Sequence, residues 1–88
     1  MEFDWDVANR EHIYRHGISP EECEQAFLNG PLVIEQQVWK GENRRLCLGE
    51  TFEGRLLTFV VTERQGKVRF VTAHPMHNKQ REIYREEE

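Results

Sequence analysis

Histidine, arginine and tyrosine side chains that could hold a phosphate and move a proton crowd one stretch of this sequence. It runs from Lys67 to Tyr84, KVRFVTAHPMHNKQREIY. Arg69, His74, His77, Arg81 and Tyr84 fall within it. Cleavage of RNA through its own 2′-hydroxyl needs such groups: a base for the hydroxyl proton, a cation for the phosphorane, and an acid for the leaving oxygen. Arginine suits the phosphate by its planar fork. Imidazole suits either proton step, because it titrates near neutrality. A tyrosine such as Tyr84 can stack a base. The bland alternative is that these arginines are solvated strand residues paired with Glu63, Glu50 or Thr62.

The elements that must position these groups are legible in the patterning. Val68, Phe70 and Thr72 alternate with Arg69, Val71 and Ala73, the period of a strand. Pro75 then suits the first position of a helix running to about Tyr84. Upstream, Asp6 is an N-cap for a helix reaching about His16, with Gly17 as its stop. Ser19, Pro20 and Glu22 read as a capping box opening a second helix, which Asn29-Gly30-Pro31 ends. Strands are expected at Leu32–Val38, Arg44–Glu50, Arg55–Glu63 and Lys67–Ala73. Glu53-Gly54 and Gln65-Gly66 read as two-residue hairpin loops.

Those loops predict a register: Val61 opposite Phe70, Thr62 opposite Arg69, Leu46 opposite Val61 and Leu48 opposite Phe59. One face then carries Leu46, Leu48, Leu57, Phe59, Val61, Val68 and Phe70, a core for helices to cover. The other carries Arg45, Cys47, Thr58, Thr62, Arg64, Lys67 and Arg69, a cationic face left for a partner or substrate. The fold class is α+β: two N-terminal helices, an antiparallel meander of about four strands, and a C-terminal helix.

Composition bounds the function. Eighty-eight residues, 38% hydrophobic and 32% charged, make a single domain over 1–88. No apolar run approaches the length of a membrane span. The acidic start, MEFDWD, is unlike a signal peptide. A net charge of −4 argues against a dedicated nucleic-acid binder. The acidic residues are nonetheless uneven, with Glu21, Glu22 and Glu24 on one helix and Glu86, Glu87 and Glu88 in a tail. Between Lys40 and Arg69, seven Lys or Arg stand against four Glu, so a local basic face is expected. Cys23 and Cys47 lack a CxxC spacing and are expected as reduced, buried filler in a cytoplasmic protein. His12 and His16 lie at i, i+4 and His74 and His77 at i, i+3, spacings open to a metal. No third ligand stands obviously beside either pair, so no metal or cofactor is expected. Trp39, beside Lys40-Gly41, is a candidate contact surface, and Trp5 a pin for the N-terminal segment.

With the elements placed, the sequence resembles the BrnT toxin family, which has a RelE-like fold. The resemblance rests on Trp5-Asp6, on Glu11-His12-Ile13 with Arg15-His16-Gly17-Ile18, and on Pro20-Glu21-Glu22. It continues through Gly30-Pro31-Leu32, Leu48-Gly49-Glu50-Thr51 and Gly54-Arg55, then Val71-Thr72-Ala73, Met76 and Arg81 to Tyr84. It implies a toxin of a type II toxin–antitoxin pair, a metal-independent endoribonuclease that cuts mRNA. The implied partner is a small DNA-binding antitoxin, in a complex holding two toxins. The implied catalytic residues are Arg69, Arg81 and Tyr84, joined by His74 from the reading above; Arg44, Arg45, Lys67 and Trp39 are implied or placed as RNA contacts. Two positions depart from the family pattern: His74 stands where an arginine commonly follows Thr-Ala, and Gln80 where an acidic residue commonly precedes the helix arginine. A second reading keeps the fold and makes the chain a partner-binding module; the net charge and those two positions favour it.

Overall fold

A computed structural model describes residues 1–87, so Glu88 of the acidic tail lies outside the described residues. These form α1 (Val7–Tyr14), α2 (Pro20–Leu28), β1 (Leu32–Trp39), β2 (Glu42–Glu50), β3 (Leu56–Arg64), β4 (Lys67–Pro75) and α3 (Asn78–Glu86). The four strands make one antiparallel meander in the order β1-β2-β3-β4. The expected α+β class is the observed one.

Both N-terminal helices open on reciprocal caps. The Asn9 N–H donates to Asp6 at 2.9 Å and the Asp6 N–H to Asn9 Oδ1 at 2.8 Å. In α2 the Glu22 N–H donates to Ser19 Oγ at 3.2 Å and the Ser19 N–H to Glu22 Oε1 at 3.0 Å. Each satisfies donors that a helix end leaves orphaned. α1 stops at Tyr14, slightly earlier than expected, and Gly17 turns the chain at φ +71°.

Register decides which residues share a face. Between β3 and β4 the expected pairs Val61–Phe70 and Thr62–Arg69 are present. Gln65 and Gly66, both at positive φ, form the two-residue turn that fixes them. Between β2 and β3 the register differs by one residue from expectation. Arg45, not Leu46, lies opposite Val61, and Cys47, not Leu48, opposite Phe59. The cause is the loop. Glu53-Gly54 belongs to a five-residue connection, Thr51 to Arg55, closed by Thr51 N–H to Arg55 O and Arg55 N–H to Thr51 Oγ1, both 2.9 Å. A one-residue shift exchanges the faces of a strand. Cys47 therefore joins the buried core with Leu57, Phe59, Val61, Val68, Phe70 and Ala73. Leu46, Leu48 and Arg44 turn to the other face, and Arg45 to the core side.

Two further expectations are corrected. Pro75 does not start a helix; it ends β4 opposite Leu57, and α3 begins at Asn78. β4 is a sheet edge at this end, where a missing N–H is tolerated. The three helices also do not share one face. α1 and α2 pack on the core, but α3 crosses the opposite face. There the Thr58 hydroxyl donates to Gln80 Oε1 at 2.7 Å and the Tyr84 hydroxyl to Glu50 Oε1 at 3.0 Å. Leu48 is fully buried yet stands outside the main core cluster, as a residue under α3 should.

The core centres on Phe70. Phe3, Trp5, Phe27 and Phe59 surround it, with ring centroids 5.2 to 6.3 Å away. Phe3 bridges Val68 in parallel and adds a short fifth rail beside β4. Trp5 lies flat on Phe70 and its indole N–H donates to Glu24 at 2.8 Å.

Gly49 marks the tightest approach of α2 to the sheet. A Cβ there would lie 2.9 Å from the Ala26 carbonyl and 3.2 Å from Phe59 Cε1. Gly49→Ala is expected to cost about 1–3 kcal/mol, the usual range for overpacking, read as a lowered midpoint in urea unfolding.

Candidate functional site

The expected cationic face is largely matched by carboxylates of the same chain. Arg44 and Arg64 both hold Glu42, at 3.4 and 2.8 Å. Arg45 reaches Glu63 at 4.0 Å, and Lys67 reaches Glu2 at 3.7 Å. Arg69 donates to Asp4 at 3.5 Å and to Asp6 at 2.7 Å, with its side chain only 16% exposed. Arg69 thus fastens the N-terminal segment to β4 from the face opposite Phe70.

These pairings register in the carboxylates. Hydrogen bonds from Asn9 and then Arg69 hold the Asp6 carboxyl below its usual range. Burial pushes the Glu22 carboxyl up, but Arg55, at 2.9 Å, and the Ser19 N–H outweigh it, and the net displacement is downward. Arg64, and less strongly Arg44, lower Glu42. The thiols move the other way: burial takes Cys23 up to about 12 and Cys47 up to about 11. Both thiols are free and buried, the setting of the filler role expected of them.

Arg81 differs from the strand arginines. Its Nε is buried without a hydrogen-bond partner among the described residues, and no carboxylate pairs with it there. It sits one turn after His77, whose carbonyl accepts the Arg81 N–H at 3.0 Å. Residues one turn apart share a helix side. Gln80, beside it, takes a hydrogen bond from Thr58 and another from the His77 N–H at 2.9 Å, which fixes the start of α3.

The histidines, expected as two separate pairs, form one row. His12 and His16 have ring centroids 5.9 Å apart, His16 and His74 6.2 Å, and His74 and His77 4.7 Å. All four histidines of the chain are in it. The helical spacing of His12 and His16 was readable in the sequence. That α1 lies along β4 and brings them to His74 was not. Among the described residues, no three His, Cys, Asp or Glu side chains converge as a metal cage.

Two polar contacts orient the row. His74 Nδ1 lies 2.8 Å from the Pro75 carbonyl. A carbonyl only accepts, so Nδ1 carries the proton and Nε2 of the neutral ring is the acceptor. His12 Nε2 lies 2.8 Å from Thr72 Oγ1. Thr72 in turn lines a hollow of about 270 Å³ on the open part of the sheet, with Glu35, Gln37, Arg44, Leu46, Val60 and Val71. Beyond the hollow, Trp39 is 52% exposed beneath Lys40 and Arg44, whose charges lie 5.7 and 5.8 Å from its ring centroid.

The expected residues therefore divide. His74, His77 and Arg81 come together at the β4–α3 junction. Tyr84 is two turns along α3, on Glu50. Arg69 is engaged by two aspartates. Arg44 and Trp39 flank the hollow, Lys67 stands at the far end of β4, and Arg45 is on the other face.

Stability should follow the lowered carboxylates. Asp6, Glu22 and Glu42 release protons more readily folded than unfolded, so their contribution is full above the ordinary carboxylate range and lost as pH falls below about 4. Urea midpoints are expected to drop between about pH 5 and pH 2. Arg69→Ala should lower the midpoint at neutral pH and make that acid dependence shallower.

The family described as "Ribonuclease toxin, BrnT, of type II toxin-antitoxin system" matches this sequence over residues 5–80. A search among curated proteins returned no match.

Proposed function

The chain belongs to the BrnT family of ribonuclease toxins of type II toxin–antitoxin systems, and from that premise we propose that it is a metal-independent endoribonuclease cutting mRNA at the β4–α3 junction. The observation that carries this reading is His74, whose Nδ1 lies against the Pro75 carbonyl and leaves Nε2 as acceptor, in a row that ends one helical turn from Arg81, whose Nε is buried without a hydrogen-bond partner among the described residues.

In this mechanism His74 Nε2 takes the proton of the RNA 2′-hydroxyl. The freed oxygen attacks the adjacent phosphorus. Arg81 neutralises the charge that gathers on the non-bridging oxygens, an interaction that strengthens as the phosphorane forms. The bond to the 5′-oxygen breaks, leaving a 2′,3′-cyclic phosphate and a 5′-hydroxyl. Side chains supply both the base and the cation, so no step calls on a metal ion. Arg69 acts through the segment it anchors and is a positioning residue. Tyr84 orients α3 through Glu50. RNA approaches over the hollow, with Trp39 to stack a base and Arg44 to meet phosphate.

A type II toxin has an antitoxin protein as partner. In this reading the partner is a small DNA-binding protein, the complex holds two toxins, and the toxin acts in the cytoplasm. No helix among the described residues is long and apolar enough to cross a membrane.

The neutralised strand arginines favour a second reading, a partner-binding module with little nuclease activity. Cleavage by the purified chain decides between them. The wild type is expected to cut RNA at neutral pH with chelator present and to arrest growth when expressed. His74→Ala and Arg81→Ala should each reduce cleavage about 100- to 1000-fold without changing the circular dichroism spectrum. A wild type that leaves RNA intact would establish the binding module.

A further inference from the structure

The departing 5′-oxygen must receive a proton, and neither His74, acting as base, nor Arg81 supplies it. We propose that His16 is the general acid, facing His74 across a single scissile phosphodiester. This rests on the ribonuclease reading and completes it.

The row narrows the choice of donor. His12 is engaged through Nε2 with Thr72, so that nitrogen is occupied. His77 is stacked on His74 at 4.7 Å with the rings 24° from parallel. Rings so close and so nearly parallel leave no space between them for a phosphate. His16 is different in three respects. Its ring stands 6.2 Å from His74 and is tilted by 59°, so nitrogens of the two rings can address the two ends of one phosphodiester. It is solvent-exposed and reachable by a substrate. Its ring makes no side-chain hydrogen bond among the described residues, which leaves an N–H to donate.

Its position is also held. The His16 N–H donates to Ile13 O at 3.0 Å and the Gly17 N–H to Tyr14 O at 3.0 Å, closing the end of α1. Ile13 is fully buried. His12, 5.9 Å away on the same helix side, backs the ring. In the step itself, the P–O5′ bond breaks as the His16 N–H proton passes to O5′. His16 is left neutral and His74 protonated. Exchange with water restores both before the next turnover.

The test separates the acid from the base by the leaving group. An RNA oligonucleotide expels an alkoxide that needs a proton; the para-nitrophenyl ester of uridine 3′-phosphate expels a phenolate that does not. His16→Asn is expected to cut the oligonucleotide about 100-fold more slowly and the nitrophenyl ester at a rate near wild type. His74→Asn should slow both substrates. His16→Gln, which keeps a flexible polar side chain at the exposed site, should repeat the His16→Asn result, with thermal melts confirming the fold. Equal loss on both substrates, or no loss on either, overturns the assignment of His16 while ribonuclease activity stands. A wild type inactive on both substrates overturns the ribonuclease reading and this assignment with it.

Discussion

Everything in this small domain leans on the ring of Phe70. Among the described residues it is the one side chain touched by aromatic residues from the N-terminal segment, from α2 and from the neighbouring strand. An 88-residue chain buries little apolar surface per residue, so concentrating large rings at one point counts for more than spreading them. The preceding residue, Arg69, points the other way and takes Asp4 and Asp6. The N-terminal segment is thus gripped from both faces of β4 by consecutive residues. α1 follows directly from that segment, so the placement of His12 and His16 depends on the grip of Arg69 and Phe70, five and four residues before His74 in β4, as well as on the contact of His12 with Thr72.

The same economy governs charge. Most strand cations meet a carboxylate of this chain, and the protein's acidic residues are therefore structural as much as solvating. Glu42 alone serves two arginines. A net charge of −4 describes the whole molecule poorly: Arg81 and the histidine row lie where such neutralisation is lacking among the described residues, and that local difference is what a polyanion would meet. Weak long-range attraction combined with a locally specific site fits a protein whose substrate must be engaged at short range.

Much of the fold was legible. Asp6 alone, and Ser19 with Glu22, announce two helix starts, because such polar side chains just before a helix have few other uses. Gln65-Gly66 fixes one hairpin, because two-residue turns leave no slack. Thr51 to Arg55 defeated the same logic: Glu53-Gly54 looks like a tight turn, but the Thr51 hydroxyl recruits two more residues into the loop. From that one loop come the exchanged faces of Arg45, Leu46, Cys47 and Leu48. The site was half legible. His74 and Arg81 are neighbours in sequence and were found together. The union of His16 with His74 depends on how α1 docks, which no local spacing encodes. The pairing of Arg69 with Asp4 and Asp6, more than sixty residues away, was equally out of reach.

Val71 is the extra residue in β4, where Val61 pairs with Phe70 but Val60 with Thr72. Such a bulge resets the alternation of the strand. Upstream of it, even-numbered residues point into the core, as Val68 and Phe70 do. Downstream, Ala73 takes that role, and Thr72 and His74 turn outward. The histidine's outward aspect is therefore a matter of parity. Removing Val71 would leave a regular strand in which Ala73 still faces the core and His74 still faces outward, two and three residues after Phe70 instead of three and four.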